Sequence, residues 1–373
     1  SFENFAECPL RYYLRYGVDL KEREEFTFSP VNFGVVLHAV IREVCDEIKK
    51  NGESYYLISE EKRREMVKRS VAAITDIYQN SILKDSSRNS FMIKRMEDLA
   101  DRTVWAMGEQ LKCGDFVPFV FEHKFNMEVG DGDRKQLMSG TIDRVDICEN
   151  GTDVYVRIID YKTEKKDFNI VKTYYGIDIQ LMVYMEAAMK LVAKMRPGKN
   201  VIPAGVFYYN ISDPIVSATT ESADEIEDKI KGELRLKGMV NSDKDIAEKM
   251  DNTEGTSLNI PVSRKADGGF DSRRSKVMNT EQFNMLGRFV DVRAVDTADR
   301  IAGGDIRRSP YKDGQFSSCD RCPYGAVCGF SVDLPGCNYR KLKKFDDEVL
   351  WNNIKEGVDE NGKKMDTGAE ERD

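Results

Sequence analysis

Between Phe116 and Ile211 the apolar residues switch from a period of two to the helical period and back, and this limits the fold more than any other feature. FVPFVFEHKFNMEV alternates as a strand does and runs into the turn-rich GDGD at 130–133. LMSGTIDRVDI follows, then DVYVRIIDYKT beyond ENGT, where Asn150-Gly151 between two apolar runs is a strong signal for a two-residue hairpin. Residues 174–195, YYGIDIQLMVYMEAAMKLVAKM, read as an amphipathic helix, and IPAGVFYYNI at 202–211 reads as a further strand. Strand, hairpin, helix and strand in that order predict a mixed α/β core.

The flanks read as helical. FAECPLRYYLRYGVDL places Pro9 where a first-turn residue stands. FGVVLHAVIREVCDEIKK forms a helix carrying His38, and residues 45–115 are expected to add a helical insertion. Residues 222–305 read as largely helical, with a looser stretch rich in Gly, Asp and Ser near 251–275. One domain is expected over 1–355, and the polar run 356–373 is expected to be disordered.

With 373 residues, 40% of them hydrophobic, the chain has material for a substantial core. No apolar run of about 18 residues occurs, so no membrane span is expected. Ser1–Gly17 lacks the apolar stretch of a signal peptide. The missing initiator Met suggests a fragment cut from a longer protein. The net charge of −8 weighs against a protein that coats nucleic acid, yet it suits an acidic metal site beside a local basic channel. Eight cysteines without a secretory signal fit a reducing, cytoplasmic setting. No Walker A loop is present, so this segment is not expected to hydrolyse ATP.

The chemistry concentrates on two neighbouring strands, Gly140-Thr141-Ile142-Asp143-Arg144-Val145-Asp146 and Ile159-Asp160-Tyr161-Lys162-Thr163. Residues two apart on a strand share a face, so Asp160 and Lys162 point the same way, and hairpin pairing can bring Asp143 to the same end. Two carboxylates are hard ligands for Mg²⁺ or Mn²⁺. A lysine beside them orients water and offsets charge that develops on a phosphate. Asp-x-Lys on a strand is commonly a solvated face, but Asp160 follows the apolar run Val154–Ile159, where an unpaired charge is costly. His38 alone reads as a core histidine, and Gln180 and Tyr184 alone read as surface and core.

Cys319, Cys322 and Cys328 form a C-x₂-C-x₅-C run that invites a fourth thiolate. Spacing alone leaves the group open between an iron–sulfur cluster and zinc, and makes nearby Cys337 the local candidate for the fourth ligand. Cys45, Cys113 and Cys148 read as buried hydrophobes.

G-x-x-D-R-x-D followed by D-Y-K-T resembles the RecB-type branch of the PD-(D/E)xK nucleases. The resemblance implies a restriction-endonuclease-like core, a mixed central sheet flanked by helices, with its C-terminus stapled by an iron–sulfur cluster. It implies metal ligation by Asp143, Asp160 and His38 (in G-x-x-L-H), and a catalytic role for Lys162. Gln180 and Tyr184, in Q-L-M-V-Y, match a helix motif of the family, and Glu122 stands where the family has an extra acidic residue. Cys8-Pro9 matches the remote first ligand of a [4Fe–4S] cluster completed by Cys319, Cys322 and Cys328, with zinc as the alternative. F-x-x-C-P-x-R-Y-Y-L-R-Y-G, L-N-I-P-V at 258–262, G-G-D-I-R-R-S-P-Y at 303–311 and C-x-x-C-P-Y-x-x-V-C-G-F extend the likeness to the nuclease domains of AddB-type subunits. That implies an exodeoxyribonuclease acting on DNA beside an AddA-type helicase–nuclease partner, in processing double-strand breaks. Two alternatives remain: a stand-alone RecB-type nuclease of CRISPR adaptation, disfavoured by the long 212–318 region, and a non-catalytic iron–sulfur DNA-binding module, disfavoured by Asp143, Asp160 and Lys162.

Overall fold

In the computed structural model, which describes residues 2–21, 30–77, 87–129, 136–217 and 221–359, a six-stranded sheet is built around the apolar run that ends at Asp160. Its strands lie in chain order: β1 (Val117–Val129), β2 (Gln136–Asn150), β3 (Asp153–Lys162), β4 (Asn200–Asn210), β5 (Lys237–Asn241) and β6 (Val277–Met278). β1, β2 and β3 pair antiparallel, β3 and β4 parallel, β4 and β5 antiparallel, and β5 and β6 parallel. Val154 through Tyr161 are all buried, as a central strand covered on both faces requires. The hairpin closes on Asn150 opposite Asp153, so its loop is Gly151-Thr152, one residue later than the sequence suggests. Gly151 takes the left-handed φ of 60° that this turn needs.

The chain enters through α1 (Phe2–Glu7), α2 (Pro9–Tyr12) and a π-helical turn, Tyr13–Gly17. Pro9 sits in the first turn of α2, where its missing N–H costs nothing. α3 (Pro30–Lys50), α4 (Glu60–Ile77) and α5 (Ser87–Lys112) then cover one face of the sheet, packing on Tyr155, Ile159 and Tyr161. Residues 45–115 thus hold the end of α3, α4 and α5. α6 (Ile170–Tyr174) and α7 (Gln180–Met195) make the crossover from β3 to the parallel β4. After α8 (Ala223–Glu233) and α9 (Lys244–Met250), α10 (Thr280–Ala302) joins α7 on the second face, over Val154, Val156 and Ile158. α11 (Gly325–Cys328) and α12 (Asp347–Asp359) complete the chain, with a small sheet of β7 (Tyr311–Asp313), β8 (Phe316–Ser317) and β9 (Arg340–Lys341) between α10 and α12. Pro203 is tolerated inside β4 because the β3 register shifts there and β5 pairs only from Gly205 to Tyr208. No helix among the described residues is long and apolar enough to cross a membrane.

Three expectations need correction. The helix expected at 174–195 is shorter: α6 ends at Tyr174, Gly176 has a φ of 75° that a helix cannot hold, and α7 starts at Gln180. The region 222–305 holds the helices α8, α9 and α10, but it also supplies β5 and β6, short strands whose five and two residues carry little periodic signal. Helical structure also continues through Asp359, beyond the start of the tail expected at 356. GDGD at 130–133 and the rest of that tail lie outside the described residues.

Candidate active site

At the end of the sheet where β3 passes into the loop before α6, three elements bring oxygen and nitrogen ligands together. His38 comes from α3, Glu122 from β1 and Asp143 from β2, with their ligand atoms within 4.8 Å of one another. His38 Nδ1 lies 3.5 Å from Asp143 Oδ2 and 3.6 Å from Glu122 Oε1. Asp143 Oδ2 also accepts the Tyr161 backbone N–H at 2.7 Å, which ties it to β3. Glu122 adopts φ 47°, a left-handed conformation that is uncommon for a side chain of this kind and interrupts the alternation of β1. Burial disfavours a charged His38, but the two carboxylates outweigh it and push the imidazole up to about 10. Such a proton stands where a cation would sit, since metal ligation requires a neutral imidazole.

Asp160 lies next to this trio rather than within it. Its Oδ2 is 2.5 Å from Lys162 Nζ, so the two do share a face. Burial, and then the negative Asp143, push Asp160 up to about 6 against the pull of Lys162. The same ammonium donates to Gln180 Oε1 at 3.0 Å, and Gln180 Nε2 donates to the Tyr184 hydroxyl at 2.8 Å. Gln180 and Tyr184, one helical turn apart, therefore form a chain of hydrogen bonds ending on the lysine. Gly140 makes room for it. A Cβ there would stand 2.9 Å from the Phe125 ring and 3.3 Å from that of Tyr184. Gly140→Ala is expected to lower stability by about 1–3 kcal/mol, read as a lower denaturation midpoint; an unchanged midpoint would show that the rings yield freely.

Beneath the site lies a charged cluster that sequence reading did not single out. Asp146 is fully buried and binds the Arg144 guanidinium through two hydrogen bonds of 2.7 Å. Arg157 Nε donates to Asp146 Oδ2 at 2.8 Å, sharing that oxygen with Arg144 Nη2, and its guanidinium lies 4.8 Å from the centre of the Phe116 ring. Burial would raise the Asp146 carboxyl, but the two guanidiniums hold it below its usual range. Asp146 therefore braces β2 against β3 and is not among the clustered candidate ligands. In sequence it looks like a third acid of the same motif.

Cys8, Cys319, Cys322 and Cys328 line one cavity together with Leu14 and Phe330, and Cys337 is not among the residues lining it. Burial pushes the Cys319 and Cys328 thiols up, and each also feels the Cys8 and Cys322 sulfurs. Cys8 is held at the start of α2, where the chain ends meet. Ser318 Oγ and Arg340 Nη2 donate to the Glu7 carbonyl at 3.2 and 3.3 Å, and Leu10 N–H donates to the Arg307 carbonyl at 3.2 Å. Cys45 and Cys148 are buried as expected, whereas Cys113, beyond the end of α5, is only half-buried.

The profile of the PD-(D/E)XK nuclease superfamily matches residues 1–329. Relatives named as B-type subunits of ATP-dependent helicase/deoxyribonucleases include that of Thermoanaerobacter sp. (strain X514), 33% identical over 98% of this chain. Those of Caldanaerobacter subterraneus subsp. tengcongensis and Clostridium acetobutylicum are each 34% identical, over 100% and 96% of the chain. In each case the match covers 32% of the relative, so the chain spans about a third of their length.

Proposed function

Because the chain belongs to the PD-(D/E)XK nuclease superfamily, whose members are metal-dependent, we propose that it is the DNA-hydrolysing domain of an AddAB-type helicase–nuclease. What supports the reading is the convergence of Asp143, Asp160 and Lys162 with His38 and Glu122 at one end of the sheet. In this proposal His38, Glu122, Asp143 and Asp160 hold Mg²⁺ or Mn²⁺, since the donors are mostly hard oxygens. A cation bound there would lower the pKa of water and offset charge at phosphorus. Lys162 holds the attacking water and a non-bridging phosphate oxygen, so that one P–O bond forms as the other breaks. Gln180 and Tyr184 keep the ammonium on that path. The strand would be delivered, and ATP consumed, by an AddA-type partner and other domains.

We further infer that Cys8, Cys319, Cys322 and Cys328 hold a [4Fe–4S] cluster. Four thiolates suit either iron–sulfur or zinc. The resemblance carried by Cys8-Pro9 and the C-x₂-C-x₅-C run favours the cluster. Hydrolysis needs no electron transfer, so the role assigned to the cluster is structural.

The test compares the intact protein with Asp160→Ala on single-stranded DNA with Mg²⁺. The variant is expected to lose activity by on the order of a hundredfold or more. Equal activity would end the nuclease assignment to this site, and equal inactivity would favour a non-catalytic DNA-binding module.

A further inference from the structure

Helix α7 carries Gln180 and Tyr184 yet begins without a cap of its own. Its N-cap is Ile179, whose side chain accepts no hydrogen bond. The first N–H groups of a helix find no acceptor within it. Here those of Ile179 and Gln180 donate to Glu3 Oε1 at 2.9 and 3.0 Å, from the other end of the sequence. The nearer acid cannot serve, because Asp178 Oδ1 is taken by the Tyr208 hydroxyl at 2.6 Å and by Lys166 at 3.0 Å.

Glu3 stands on α1, which leads directly into Cys8. The Cys8 N–H donates to the Asn4 carbonyl at 3.1 Å, and Arg340 donates to the Ala6 and Glu7 carbonyls at the end of the same helix. On the other side, Gln180 Oε1 accepts from Lys162. A short series of fixed contacts thus runs from the cysteine cavity through α1 and Glu3 to the start of α7, and on to the lysine beside Asp160. A carboxylate also complements the positive end of the helix dipole.

We propose that Glu3 is a positioning residue for hydrolysis: it fixes the start of α7, and through Gln180 the reach of Lys162, so the segment fastened by the cysteines sets the geometry of the reacting site. The inference rests on the nuclease reading above. Small misplacements of a reacting group cost up to about a hundredfold in rate, so the effect belongs in kcat rather than KM.

The experiment uses the intact protein, purified anaerobically, with a single-stranded oligonucleotide and Mg²⁺. Glu3→Ala is expected to lower kcat by about 10- to 100-fold with KM nearly unchanged. Glu3→Gln, which keeps an acceptor oxygen, should restore most of the loss. Amide exchange at Ile179 and Gln180 should speed up in Glu3→Ala, while the visible absorption of the protein stays unchanged. In a Gln180→Ala background the further cost of Glu3→Ala should largely vanish. A wild-type kcat, an effect confined to KM, additivity with Gln180→Ala, or loss of the absorption would each overturn the proposal. If Asp160→Ala remains active, the nuclease reading itself fails, whatever Glu3 does.

Discussion

On the proposed cluster ligation, Cys8→Ser is expected to remove the cluster's broad visible absorption from the anaerobically purified protein and to lower its stability by several kcal/mol, whereas Cys337→Ser should leave the band in place. Cys8 lines the same cavity as Cys319, Cys322 and Cys328, while Cys337 is buried elsewhere, with 4% of its surface exposed. A link from Cys8 to the other three closes a loop of about 300 residues. The chain-entropy relation for cross-links puts such a closure at on the order of 5 kcal/mol. The contacts that also join the ends, such as Tyr324 hydroxyl to the Leu20 carbonyl at 3.0 Å, add about 1 kcal/mol each. They keep the termini together without matching the loss. Absorption spectra and thermal denaturation of the two variants decide the matter, and loss of the band in Cys337→Ser alone would reassign the fourth ligand.

Asp146→Asn is expected to destabilise the protein by about 3–5 kcal/mol without touching any residue of the candidate site. The substitution leaves Arg144 and Arg157, each 1% exposed, facing a neutral amide. Neither charge can reach water, and the two terminal nitrogens of Arg157 have no hydrogen-bond partner of their own. The pH dependence follows from the depressed pKa of Asp146. Its contribution is complete above the unfolded carboxyl value of about 4 and disappears as pH falls through the lower folded value. The gap between wild type and variant should therefore hold at neutral pH and shrink in acid. Chemical denaturation at both pH values measures it, and a neutral-pH difference below about 1 kcal/mol would mean that other groups balance the two arginines.

Much of this arrangement is legible in the sequence. Alternation marks β1 and unbroken apolar runs mark β3 and β4, and a spacing of two on β3 is enough to place Asp160 and Lys162 on one side. The spacing of four between Gln180 and Tyr184 likewise anticipates their hydrogen bond. Glu122 is harder to read, because its direction depends on a left-handed residue that interrupts the strand pattern. Lys237–Asn241 passes for helix because five residues between helices hold too little alternation to read as a strand. Glu3 is invisible locally, since the helix it caps begins 177 residues further on. At the cysteines, local spacing favours Cys337, whereas family resemblance favours Cys8, which lines one cavity with Cys319, Cys322 and Cys328.

The candidate ligands are scattered along the chain. His38 arrives on a helix from before the sheet, while Glu122, Asp143 and Asp160 come from three separate strands. None of them gains a neighbour with which to chelate until those strands have paired and α3 has docked. On the proposed nuclease reading, this makes tertiary closure a safety catch. A copy still emerging from the ribosome, or stalled half-folded, holds every reactive side chain and yet is harmless to the genome that encodes it.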